Sequence, residues 1–239
     1  MNDLLKLALD AHGGLDRWQG FNQLSVQASI AGAIWDVKQQ PGLLTDKAVV
    51  LNLRTQCLAI APFGGEGRRS VLIDGKLSIR DTDGGMVEGR EDPEASFAGQ
   101  QRETPWDRLH VAYFASEALW TYLNSPFLYA GPGFETEEIA PWQEAGETWR
   151  RLKVTFPKAI LSHTRTQITY FGPDGLMRRH DYTVDILGGA TGANYPSDYV
   201  EVQGLMMPAR RRIHAYDEAG RMVPDPLLVS LDFSEFRFA

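Results

Sequence analysis

The spacing of apolar residues changes repeatedly along the chain, and each change predicts an element. Over residues 2–12 Leu4, Leu5, Leu7, Ala8 and Ala11 recur at helical spacing. Asn2 or Asp3 can cap that amphipathic helix, and Gly13-Gly14 stop it. A short helical turn over residues 15–18 follows. From Leu24 the period is two: Leu24, Val26, Ala28 and Ile30 alternate with Ser25, Gln27 and Ser29, which predicts a half-buried strand. Residues 35–37 continue it after Gly32. Residues 47–53, 56–62, 69–73, 76–80 and 86–90 read as further short strands. Asp74-Gly75 and Asp83-Gly84-Gly85 supply hairpin turns between them.

A polar, irregular stretch over 91–103 leads into the one strongly written long helix, residues 105–124. Thr104 suits its N-cap, Pro105 its first position, and Asp107 the place of a capping-box acid. Leu109, Val111, Ala112, Tyr113, Phe114, Ala115, Ala118, Leu119, Trp120, Tyr122 and Leu123 cover nearly its whole circumference, and a helix that is apolar all round is buried. Asn124-Ser125-Pro126 end it. Its aromatic residues either fill a core or line a lipophilic cavity.

Alternation then resumes over 135–139 and 147–156. Residues 164–171 and 176–186 form a hairpin whose connector, Gly172-Pro173-Asp174-Gly175, fits a type I turn followed by a left-handed glycine. That loop pairs Gly172 with Leu176. It sets Tyr170 opposite Arg178, Ile168 opposite His180, Thr166 opposite Tyr182 and Thr164 opposite Val184, all on the buried face. Arg165, Gln167, Thr169, Arg179, Asp181, Thr183 and Asp185 fall on the other face, which reads as solvent-facing. A slip of one residue would exchange the two faces. Residues 188–194 read as a loop, and 199–202, 206–216 and 227–238 as the last strands. Hairpin spacing throughout, with no helices between consecutive strands, predicts a mostly antiparallel sheet.

Composition narrows the function classes. The 239 residues carry a net charge of −7, which disfavours nucleic acid and anionic membrane surfaces as partners. No run approaches the length of a membrane-spanning helix. The N-terminal segment has acids at 3 and 10 and no signal-peptide cleavage pattern, so the expected location is cytoplasmic. The single cysteine, Cys57, lies in an apolar run and reads as a packing residue.

The sequence contains no phosphate-binding loop, dinucleotide fingerprint, HExxH, CxxC or nucleophile-elbow motif. His12, His110, His163, His180 and His214 lack metal-ligand spacing, and the predicted register sets His163 near a strand end on the face opposite His180. No metal or cofactor is expected. The strongest chemical signal is Arg178, His180 and Tyr182 on a buried face. A buried polar group without a partner costs about 1–3 kcal/mol. These residues therefore imply an internal polar cluster: core residues with satisfied hydrogen bonds, or the few groups that orient a ligand. Tyr170 and Arg211 can join them. The candidate ligand-binding set is Tyr113, Phe114, Trp120, Tyr170, Arg178, His180, Tyr182 and Arg211. No catalytic residue is assigned.

The opening Ala11-His12-Gly13-Gly14-Leu15-Asp16-Arg17-Trp18, followed by antiparallel strands interrupted by one helix, resembles the LolA/LolB-like superfamily of lipoprotein carriers and sorting proteins. The resemblance implies one mainly β, α+β domain over residues 1–239: an incomplete barrel of about a dozen antiparallel strands around a long apolar helix. It also implies a cavity that accepts acyl chains. The half-barrel is also similar to that of a cofactor-free enzyme of the violacein pathway. Three functions follow as expectations. The first is a soluble protein binding a hydrophobic small molecule or lipid between sheet and helix. The second is a cofactor-independent enzyme acting on a hydrophobic metabolite in the same cavity, with His180, Tyr182 and an arginine as its polar groups. The third is an interaction protein with a filled core.

Overall fold

The computed structural model describes residues 2–239. Helices α1 (Asp3–Ala11) and α2 (Leu15–Gln19) precede strand β1 (Gln23–Ala31) and a short helix α3 (Ala33–Val37). Strands β2 (Lys47–Asn52), β3 (Leu58–Ala61), β4 (Arg69–Ile73), β5 (Lys76–Arg80) and β6 (Met86–Arg90) form a meander. Helix α4 (Arg108–Asn124) separates it from a second meander. That one comprises β7 (Glu135–Glu144), β8 (Glu147–Thr155), β9 (Thr166–Phe171), β10 (Met177–Val184), β11 (Ala190–Val202) and β12 (Leu205–Tyr216). The chain ends with β13 (Met222–Val223) and β14 (Val229–Phe238).

All of these strands belong to one antiparallel sheet, whose order is β6-β5-β4-β3-β2-β1-β14-β12-β11-β10-β9-β8-β7, with β13 paired to β12. The C-terminal strand joins the two meanders by lying between β1 and β12. The sheet does not close, so β6 and β7 remain as edges, and α4 is the connection that runs from one edge to the other. It packs against β3, β4 and β5. The expected mainly β architecture around one long apolar helix is therefore the observed one.

Helix α4 is buried at every residue from Leu109 to Asn124. Each large apolar side chain so buried contributes about 1.5–3 kcal/mol, which explains why no solvent face is needed. Its start differs from the sequence expectation. The N-cap is Asp107, whose side chain accepts from His110 N at 2.8 Å, while Asp107 N donates to His110 Nδ1 at 3.2 Å. Arg90 holds the same carboxylate at 2.7 Å. Thr104 instead accepts from Gln101 N and closes a local turn, which leaves Pro105 and Trp106 outside the helix.

Two further expectations are corrected. Residues 35–37 do not extend β1. Gly32, at φ +122, brings the chain against Leu228, and the next residues close helical hydrogen bonds from Trp35 N to Gly32 O and from Lys38 N to Ile34 O. The turn sends Trp35 into the core, edge-on to Phe114. In the β9–β10 hairpin the loop pairs Gly172 with Leu176 and Phe171 with Met177 as expected, and then a bulge at Arg178 shifts the register by one. Arg179 lies opposite Tyr170 and His180 opposite Thr169.

The helix breaker Gly13-Gly14 also docks the N-terminus. Gly13 has φ +111, and a Cβ there would lie 2.2 Å from Gly204 O in the β11–β12 turn. Arg17 Nη1 donates to both Gly13 O and Gly204 O, and Met206 N donates to His12 O. Trp18 then stacks on Phe127 with centroids 4.6 Å apart. Gly14 has φ +93 but open space where a Cβ would go. Gly13→Ala should therefore lower stability by about 2 kcal/mol or more, and Gly14→Ala by less, since only the first adds a backbone clash to the unfavourable φ. Urea unfolding midpoints check this; equal losses at both positions would contradict the close-approach account.

Candidate functional site

One face of α4 does not meet the sheet fully. Phe114, Ala115, Ala118, Leu119 and Tyr122 form a stripe at helical spacing, and the two alanines are too short to reach the strands opposite. The space left is a cavity of about 490 Å³. Its far wall is apolar: Ile30 of β1, Ile213 of β12, Val184 of β10, and Val229 and Leu231 of β14. Trp35 and Lys38 close one side. The floor residues are buried, while Gln101, Arg102, Gly188, Ala190 and Pro226 at the rim are exposed, so the space opens outward at that end.

Lys38 is 2% exposed and donates to Arg102 O at 2.7 Å, with Gln101 O and Thr104 O at 3.2 and 3.4 Å. It fixes the 101–104 loop to the mouth of the cavity. Burial lowers its pKa. Gly192 lies opposite Tyr182 in the β10–β11 pair, and a Cβ there would lie 2.5 Å from the Tyr182 ring. The missing side chain lets that ring lie flat on β11 as part of the cavity floor. Its hydroxyl and that of Tyr122 are hydrogen-bonded to each other.

Behind this tyrosine pair lies a sealed polar layer. His180 Nε2 donates to Gln167 Oε1 at 2.6 Å, while its Nδ1 has no hydrogen-bond partner among the described residues. Neither amide atom of Asn194, the cross-strand partner of His180, is paired among the described residues. Arg211 donates from Nη2 to Tyr122 O at 2.9 Å and packs on the Tyr122 ring. Burial depresses its pKa, as expected for a guanidinium without a carboxylate beside it. Burial, then the charges of Arg211 and His163, push His180 down to about 3. Burial likewise takes His12 down to about 4.

The eight candidate ligand residues thus separate. Phe114 and Tyr182 line the cavity. His180 and Arg211 face inward but sit one layer behind it. Tyr113 packs on Phe97, and Trp120 donates to Asn52 O, both away from the space. The bulge puts Tyr170 on the outer face and leaves Arg178 at the surface with Asp174 and Glu147. That outer face is not solvated as expected. Arg179 is completely buried there, bound through two nitrogens to Asp181 at 2.6 and 2.8 Å and to Glu144 at 2.9 Å. Trp142, Tyr170, Tyr195 and Tyr216 surround its guanidinium at 5.1–5.9 Å from their centroids.

The site also holds a pair that the strand pattern concealed. His163 lies in the loop before β9, not across the sheet from His180 but inside with it. Its Nδ1 meets Glu117 Oε1 of α4 at 2.5 Å, with both side chains 3–4% exposed. The ring stacks on Phe114 and lies against Tyr182, each at a centroid distance of 4.9 Å, and it lines the cavity. Glu117 was a detectable signal: a carboxylate in an otherwise apolar stretch of helix needs a partner to be buried.

No protein-family model and no curated protein matches the chain. Solved structures do. A LolA superfamily protein of Nitrosomonas europaea aligns over 97% of this chain and 92% of its own, with a TM-score of 0.54 and 10% identity. The fold is LolA-like. A DUF1329 family protein of Desulfovibrio piger aligns over 99% and 94% of the two chains, with a TM-score of 0.53 and 12% identity. At such identities the LolA-like likeness is one of fold.

The sealed histidines make stability depend on pH. A His whose folded pKa lies below its unfolded value of 6.5 binds protons preferentially after unfolding, so stability falls as pH drops from about 6.5 toward the folded values. Between pH 7 and 4.5 the His180 contribution is on the order of 2 kcal/mol. His180→Gln should flatten the decline by that amount in urea midpoints measured across the range. An unchanged slope would show that His180 is not held neutral.

Proposed function

We propose that this protein binds an apolar small molecule or acyl chain in the cavity between the curved sheet and α4. One observation carries the reading: a space of about 490 Å³, apolar over most of its wall, interrupts an otherwise dense core. That volume lies within the range of small-molecule sites, which combine a largely apolar lining with a few placed polar groups. The small residues Ala115, Ala118 and Gly192 keep it open, and larger side chains at these positions would fill it. The LolA-like fold supports the same reading, since the resemblance implies a cavity for acyl chains between a half-barrel and its helices. Among the described residues no helix is long and apolar enough to cross a membrane.

The binding reading is tested with neutral ligands, which depend only on the cavity. Titration calorimetry with methyl esters of increasing chain length should show a single site, and affinity should rise with each methylene until the cavity is filled. The heat-capacity change should be negative, the mark of buried apolar surface. Native mass spectrometry of protein purified from its own host should find an apolar molecule bound. Failure of every chain length to bind, with no co-purifying ligand, would overturn the reading.

A further inference from the structure

The enclosed part of the cavity wall offers a bound molecule very few free polar atoms; the Gln101 and Arg102 side chains also border the space, but at its exposed mouth. Tyr122 and Tyr182 hydrogen-bond to each other. Gln100 is bonded through both amide atoms, to Trp106 Nε1 and to Ser96 O and His110. Thr191 donates to Tyr216 O and accepts from Tyr216 N. Lys38 reaches three carbonyls. Trp35 Nε1 has no partner among the described residues but is enclosed within the wall. Arg211 and Asn194 have unpaired atoms too, yet those atoms are enclosed behind the Tyr122–Tyr182 pair. His163 differs. Glu117 takes its Nδ1, its Nε2 has no hydrogen-bond partner among the described residues, and the ring lies at the cavity wall.

A carboxylate at Nδ1 accepts a hydrogen bond, so Nδ1 carries a hydrogen and the chemistry left to the cavity is that of Nε2 alone. When the ring is neutral, Nε2 is a lone pair that needs a donor. When the ring is charged, Nε2–H needs an acceptor, best an anionic one. A carboxylic acid satisfies both cases with the same proton. Its O–H donates to, or transfers its proton to, Nε2; after transfer the imidazolium donates back to the ligand carboxylate while Nδ1–H remains on Glu117. An ester cannot donate to the neutral ring, and a hydrocarbon can do neither. The stacked ring of Phe114 and the adjoining Tyr182 hold the imidazole in one plane, so the direction in which Nε2 points is fixed before any ligand arrives.

We infer that the ligand of this cavity is a monocarboxylic acid with an apolar body, its acid group on His163 Nε2 and its body along the Ala115–Ala118 stripe of α4. The inference rests on the cavity reading above, and the experiment separates the two. A medium-chain fatty acid and its methyl ester are titrated into the intact protein at the same pH. The acid should bind at least about tenfold more tightly, a difference of about 1.4 kcal/mol. In His163→Phe, which keeps an aromatic ring between Phe114 and Tyr182, the ester should bind as before and the acid should lose its advantage. In Glu117→Gln, which still accepts from Nδ1 without a charge, the advantage should shrink without disappearing. Equal binding of acid and ester to the unaltered protein would overturn this inference alone, whatever the variants do. So would an acid preference that survives His163→Phe. Binding of neither ligand would overturn the cavity reading, and this inference with it.

Discussion

Everything in this structure depends on burying a helix that has no polar face. Helix α4 lies in the connection between the two edges of an open sheet, and from Leu109 onward its residues are withdrawn from water. The sheet must therefore curve around it, and β14 must bring the two meanders together beside β1. Close packing is met on most of the helix circumference by aromatic and branched side chains. It is relaxed along one stripe, where alanines face the strands. The cavity is thus a consequence of which apolar residues α4 carries at particular turns, within an overall burial that is uniform.

Burial on this scale obliges polar groups to find partners, and they do so in three ways. On the outer face Arg179 is neutralised by Asp181 and Glu144 under four aromatic rings. Beneath the tyrosine pair, His180 stays uncharged and Arg211 leans on a carbonyl and a ring. At the cavity wall Glu117 and His163 satisfy each other on one side only. The first arrangement is structural and complete. The last leaves His163 Nε2 without a hydrogen-bond partner among the described residues, on a ring that lines the cavity.

The helix, most of the strands and the antiparallel order were legible because each rests on local period or turn chemistry. Several features were not, among them the helical turn at residues 35–37 and the start of β11 within a stretch that read as a loop. The start of α4 moved from Thr104 to Asp107 because Arg90, distant in sequence, completes the cap. The bulge at Arg178 follows from its reach to Asp174 and Glu147, which pulls one extra residue out of the ladder. That shift buried Tyr170 and Arg179 on a face whose composition suggested solvent. The Glu117–His163 pair joins residues from a helix and a loop, so no spacing rule could have found it. Of the candidate ligand residues, His180 and Tyr182 could be placed inward from period; on α4, apolar all round, period could not separate Phe114, which lines the cavity, from Tyr113 and Trp120, which do not.

The central claim is that the alanine stripe of α4 maintains a ligand space and not a packing defect. Ala118→Phe tests it most directly, because Ala118 lines the cavity and the new ring would occupy that space. The account predicts that binding of a neutral alkyl ester weakens by at least about tenfold. It also predicts that the urea midpoint stays level or rises, since apolar volume fills existing space. Ester affinity that is unaffected by the substitution, in a protein that remains folded, would contradict it.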